Sequence, residues 1–213
     1  MYNSDPELIY NSDTEKLECW WRYVNDDKNQ MILYRRCTSD GETWTEKEIM
    51  VVTNRDELDY VSPTIIYENG IYKMWSVGGG YRIQYSESED GHQWSPIQYI
   101  NIQYEKKNLK TWHISIIEAP KGKYKMVISA FDSSIKNARS KMSLYYTCSL
   151  DGKNWSAVKE FLSPSHLENA WDNKGLYRSC FIYNANGTYS LFYSGINKDE
   201  TRGVGLIENF IIE

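Results

Sequence analysis

Asp5, Ser62, His113 and Arg178 fall at matching places in this chain once it is aligned on Tyr10 with Tyr67 and on Tyr72, Tyr124 and Tyr189. An acid, a hydroxyl, an imidazole and a guanidinium at equivalent positions, with Trp112 and Tyr177 beside two of them, are the parts of a pocket for a polar, hydroxyl-rich ring. Aromatic faces stack on such a ring, Asp5 and His113 bond its hydroxyls or an acetamido group, and Arg178 meets a carboxylate, phosphate or hydroxyl. Asp172 stands just upstream and extends the set. Cleavage of a glycosidic bond asks for more, because it uses two carboxylates about 5–9.5 Å apart. Asp5 is the only carboxylate among the four aligned positions, so its partner has to come from the loop residues Asp59 or Asp172. Glu118 precedes Ala119-Pro120 but falls at the far end of its strand. The expectation is a ligand-binding pocket of Asp5, Trp112, His113, Asp172, Tyr177 and Arg178, without catalytic turnover.

Other chemistries find less support. No Ser-His-Asp order stands out, and Gly78-Gly79-Gly80 reads as a hairpin turn because nothing helical follows to cradle a phosphate. His113 also reads as an imidazole satisfied by a backbone carbonyl, and Arg178 as a bridge to Asp172 or Asp5. Cys19, Cys37, Cys148 and Cys180 lack CxxC spacing and a matching His pattern, so they read as buried free thiols, and neither metal nor cofactor is expected. A net charge of −5 argues against a nucleic-acid groove, and the Lys106, Lys107 and Lys110 run reads as a solvated loop. No apolar stretch is long enough to span a membrane, and no signal peptide is evident.

The elements that position these residues are set by a repeat. Thr38-Ser39-Asp40-Gly41-Glu42-Thr43-Trp44, Ser88-Glu89-Asp90-Gly91-His92-Gln93-Trp94 and Ser149-Leu150-Asp151-Gly152-Lys153-Asn154-Trp155 share one pattern, with their Asp residues 50 and 61 positions apart. Asp-Gly suits a tight turn in which both residues tolerate positive φ, and the following Trp folds back over it. Around these turns lie tyrosine-rich runs separated by Asn69-Gly70, Gly122-Lys123 and Asn186-Gly187. They predict strands at 6–10, 16–24, 31–37 and 45–52, then at 62–67, 71–77, 81–87 and 97–102. The third repeat predicts 113–118, 124–130, 142–148 and 157–162, and the last 178–183, 188–193, 203–207 and 210–212. With 18 Tyr and 8 Trp and little helical pattern, the fold class is all-β: a β-propeller of four-stranded antiparallel blades, four repeats visible in a four- or five-bladed ring. One domain spans 1–213.

Two families carry these features. Several five-bladed glycosidase families have the Ser-x-Asp-Gly-x-x-Trp turn and an Asp-Pro opening the first inner strand, which Asp5-Pro6 resembles. More specifically, Cys19-Trp20-Trp21-Arg22-Tyr23-Val24, Asp59-Tyr60-Val61-Ser62-Pro63, Lys110-Thr111-Trp112-His113 and Trp171-Asp172-Asn173-Lys174-Gly175 with Tyr177-Arg178 resemble the propeller platform of receptor-binding proteins from tailed phages of staphylococci and related bacteria. That resemblance covers nearly the whole chain. It implies host attachment at a virion tail tip, as a homotrimer in a longer tail protein, through cell-wall glycopolymer such as amino-sugar-decorated wall teichoic acid. The glycosidase is the rival expectation.

Overall fold

The computed structural model describes residues 1–120 and 123–211, and the chain forms two compact units, Met1–Tyr99 and Ile100–Glu213. In the first unit, β1 (Tyr2–Asn11), β2 (Lys16–Asn25), β3 (Gln30–Thr38) and β4 (Glu48–Asn54) form an antiparallel meander. A second meander follows as β5 (Val61–Glu68), β6 (Ile71–Val77), β7 (Ile83–Ser88) and β8 (Gln98–Ile100). In the second unit, β9 (Leu109–Ala119), β10 (Lys123–Asp132), β11 (Ser143–Ser149) and β12 (Lys159–Leu162) make a third four-stranded sheet. The fourth sheet contains β13 (Gly175–Tyr183), β14 (Tyr189–Ile196) and β15 (Arg202–Phe210).

The all-β blade reading therefore holds, and helix is confined to two 3-10 turns among the described residues. The last sheet departs from it. The segments expected at 203–207 and 210–212 merge into β15, because Asn209 takes a left-handed φ of 56° and absorbs the extra residues in a bulge opposite Tyr189–Leu191. Ile212 and Gly122, at which a strand end and a turn were expected, lie outside the described residues.

The three repeat turns join the third and fourth strands as expected, but by a different device. Only the glycines, Gly41, Gly91 and Gly152, take positive φ. The Asp is a cap: Asp90 Oδ1 accepts from the His92 and Gln93 amides at 2.8 Å each, and Ser88 Oγ donates to it at 3.0 Å. Asp40 and Asp151 repeat the pattern. Trp94 and Trp155 fold back so that Nε1 donates to the carbonyls of Gly91 and Gly152.

Each unit has its own core. Ile9, Trp20, Leu33, Ile65, Tyr72 and Met74 pack between the first two sheets. Inside this apolar layer the buried Glu18 accepts from Asn11, Trp20 Nε1 and the Tyr72 hydroxyl, so its charge is fully hydrogen-bonded. Val127, Leu144, Phe181, Tyr189 and Leu191 form the core of the second unit. The cysteines are free but not buried as expected: three are half-buried and Cys180 is exposed. Cys19 pairs across the sheet with Arg36 and Cys37 with Glu18, so the two thiols project from opposite faces.

Candidate functional site

Every inner strand breaks its ladder within one residue of the aligned position. The register shifts between Ser4 and Glu7 on β1, and between Val61 and Thr64 on β5. On β9, Trp112 is the extra residue, and on β13 the shift falls between Leu176 and Ser179. A bulge bends the strand and re-aims its side chains, which is how a regular sheet presents an irregular polar group. In the first unit the distortion goes further, since Asp5 (φ 58°) and Ser62 (φ 50°) sit in the left-handed region. Pro6 and Pro63 follow them, at places where no ladder N–H is lost. Such backbone strain costs on the order of 1–3 kcal/mol per residue and persists where the surroundings enforce it.

In the first unit Arg22 reaches the Asp5 side of this strained backbone. It lies across from Ser4, immediately before the bulge, and is only 4% exposed. Its Nη1 reaches Asp5 Oδ2 at 3.5 Å, while Nη2 meets both Asp59 oxygens at 2.6 Å and Nε adds a bond at 3.0 Å. Arg55 grips the same Asp59 at 3.2 Å and Asp26 at 2.6 Å. Sharing one guanidinium keeps the carboxylates of Asp5 and Asp59 closer than the ~9.5 Å upper limit for paired glycosidase carboxylates. Their parts differ. Asp59 spends both oxygens on two arginines and so anchors Arg22, whereas the contact of Asp5 with that guanidinium is single and long. The buried Gln84 donates its amide to the Asp59 carbonyl at 3.4 Å. It fills the space beside Gly78, where any Cβ would overlap it, so the three-glycine turn serves side-chain packing as well as chain reversal.

The remaining expected residues lie in the second unit, and most of them come together. His113 is buried, with its ring 4.8 Å from Tyr177 edge to face and 5.5 Å from Trp112. Trp112 and Tyr177 were expected to offer open stacking faces, yet guanidinium groups lie over both. Arg139 sits 4.2 Å above Trp112 and Arg202 5.3 Å from Tyr177. Each ring is thus already paired with a cation on one face. Arg178 occupies the β13 bulge. Asp172 accepts from the Tyr193 hydroxyl at 3.1 Å, and burial first, then this bond, pushes the Tyr193 phenol up to about 12. Beside it the Trp171 ring lies against Gly195 and Gly205, where a Cβ would collide with it, and against Gly203, where a Cβ would press on it tightly.

Arg22, Arg55, Gln84, Arg139 and Arg202 are the residues that sequence reasoning missed. Arg22 had a signal: it shares the buried face of β2 with Trp20 and Val24, and a charge on such a face requires a partner. Arg139 and Arg202 reach their rings from a connecting loop and a strand start, without a periodic mark. Among the described residues, no group of three His, Cys, Asp or Glu side chains is placed to hold a metal ion.

No family model matches this chain, and no curated protein matches it by sequence. Solved structures do. An N-acetylgalactosamine deacetylase from F. plautii, in complex with blood group B trisaccharide, aligns with a TM-score of 0.80 at 20% identity, over 96% of this chain and 71% of its own. A thermostable family-43 glycoside hydrolase gives 0.66 at 13% identity, over 98% and 71%. Bacillus subtilis arabinanase Arb43A gives 0.66 at 11%, over 96% and 72%. The fold is a β-propeller of the kind used by carbohydrate-active proteins. These matches overturn the expectation of a module without turnover, because the structures aligned here are those of enzymes.

Proposed function

We propose that this protein is a carbohydrate-active hydrolase of the propeller glycosidase type, with Asp5 as its reacting carboxylate. One observation carries the reading: a strained, buried Asp5 sharing the Arg22 guanidinium with Asp59. In hydrolysis of a glycoside, water attacks the anomeric carbon as its bond to the leaving oxygen breaks; the Asp5 carboxylate accepts the water's proton, and the leaving oxygen takes up a proton from solvent. Arg22, itself fixed by Asp59, orients Asp5. A second reading, removal of an N-acetyl group from a sugar, is favoured by the higher TM-score and identity to a deacetylase. It uses the same water-activating role for Asp5.

The finer reading is a host-attachment protein at a phage tail tip, acting on cell-wall glycopolymer that bears N-acetylated amino sugars. Its support is the resemblance around Trp20–Val24, Asp59–Pro63, Lys110–His113 and Trp171–Arg178, together with the N-acetylgalactosamine named for a structure of like fold. A trimeric tail protein would gain avidity of roughly 10²–10⁴ over a single site. The test is incubation with purified wall teichoic acid, arabinan and N-acetylated aminosugar glycosides, with reducing sugar and free acetate both measured. Sugar release supports the glycosidase and acetate release the deacetylase. Release of neither from any substrate overturns the hydrolase reading.

A further inference from the structure

Ser4 stands where no regular strand would let it touch Asp5, because consecutive residues of a strand turn their side chains to opposite faces. On β1 the left-handed φ of 58° at Asp5, inside the bulge between Ser4 and Glu7, breaks that alternation and folds the carboxylate back toward its neighbour. Ser4 Oγ then donates to Asp5 Oδ2 at 3.0 Å. The same oxygen faces Arg22 Nη1 at 3.5 Å, on the strand paired with β1. One carboxylate oxygen is thus met by a hydroxyl from its own strand and a guanidinium from the next. Two donors from different directions resist rotation of the group about its Cβ–Cγ bond.

The second sheet provides a comparison within the molecule. Its β5 has the same bulge and the same left-handed residue, Ser62 at φ 50°, but the position before it is Val61. On β9 and β13 the equivalent places hold Trp112 and Tyr177. An aliphatic hydroxyl therefore precedes the aligned residue only on the strand where that residue is an acid. The bulge does not itself require serine.

We propose that Ser4 is a positioning residue for Asp5: its hydroxyl, together with Arg22, fixes the plane of the carboxylate that accepts the proton of the attacking water. The role rests on the hydrolase reading. It differs from that of Arg22, since Ser4 carries no charge and its removal leaves no buried ion unmatched. A hydrogen bond to the charged form of an acid favours that form, so loss of the hydroxyl moves the titration midpoint of Asp5 above that of the parent chain. The charged groups around the pair stay the same in every variant: Arg22 on β2, Asp59 and Arg55 beyond it, and Asp26 and Tyr2 bearing on Arg55.

Ser4→Ala, Ser4→Thr and Ser4→Cys test the proposal, with circular dichroism to check the fold. Carbon-13 NMR of the side-chain carboxyls, with the Asp5 signal assigned by its loss in Asp5→Asn, gives the midpoint without any substrate. Kinetics on the substrate that the parent chain hydrolyses give a second readout. Ser4→Ala is expected to raise the Asp5 midpoint, to carry the acid limb of the rate upward with it, and to lower kcat by about tenfold with KM little changed, because Ser4 only orients the base. Ser4→Thr keeps the hydroxyl and is expected to restore all three. Should Ser4→Ala not fold, Ser4→Cys, similar in size but a weak donor, is read in its place. A midpoint unchanged by loss of the hydroxyl, a raised midpoint with kcat intact, or a threonine variant that behaves like the alanine one would each overturn the proposal. A parent chain without turnover overturns the hydrolase reading, whereas an unmoved midpoint in an active enzyme overturns the role of Ser4 alone.

Discussion

Arg22 and Asp59, 37 residues apart in sequence, are joined by three contacts of 2.6–3.0 Å, with Arg22 only 4% exposed. A guanidinium so far from water depends on its carboxylates. Arg22→Met should destabilise the protein by about 3–5 kcal/mol, because it removes the cation from Asp5 and leaves Asp59 with Arg55 alone. Urea unfolding measures the effect. A loss below about 1 kcal/mol would mean that solvent reaches the pair.

Asp5→Asn should keep the fold and lose turnover. Asn has the same shape and tolerates left-handed φ, so the β1 bulge survives, while the carboxylate that activates water is gone. Asp5→Ala should lose turnover and some stability together. Product release assays paired with thermal melts separate the two effects, and an active Asp5→Asn protein would remove Asp5 from the chemistry.

Trp94 packs edge to face on Trp20 at 6.5 Å and closes its turn through Nε1. It is half-buried, so Trp94→Ala should cost about 1.5–3 kcal/mol, below the usual loss for a fully buried Trp. Substrate affinity should stay unchanged. A variant that melts like the parent but loses binding would make this a ligand contact.

Backbone N–H bonds hold the carboxyls of Asp40, Asp90 and Asp151 below the usual carboxylate range. Groups depressed in this way contribute stability that is present above their unfolded value of about 3.9 and is lost as pH falls through the folded value. Melting temperature should therefore be insensitive to these turns from neutrality down to about pH 4 and should fall below it. Asp90→Ala should lower the neutral melting temperature and flatten the acid loss. Fluorescence-monitored melts at stepped pH decide the matter, and identical acid slopes in both proteins would count against the turns.

The repeat turns, the strand count of three sheets and the aligned inner-strand positions were legible because each is local: a dipeptide, an alternation, a fixed spacing. The aligned set even marked where the ladders break. The contact of Arg22 with Asp59 was not legible, since periodicity places Arg22 on a buried face without saying which of several loop acids will reach it. The guanidinium groups over Trp112 and Tyr177 depend on loop paths that no spacing encodes. Glu208-Asn209 was read as a chain break because Asn suits both a turn and a bulge, and only pairing with Tyr189 and Leu191 distinguishes them.

The bulges of β1, β5, β9 and β13 also make the scaffold adaptable. Each places an extra residue outside the hydrogen-bonding register, so its side chain can change without shifting the pairing on either side. An acid, a hydroxyl, an indole and a guanidinium already occupy these four sockets, Asp5, Ser62, Trp112 and Arg178. New specificities can thus arise, or be grafted by design, one socket at a time, with the Asp-Gly-Trp turns at a distance left to hold each sheet together.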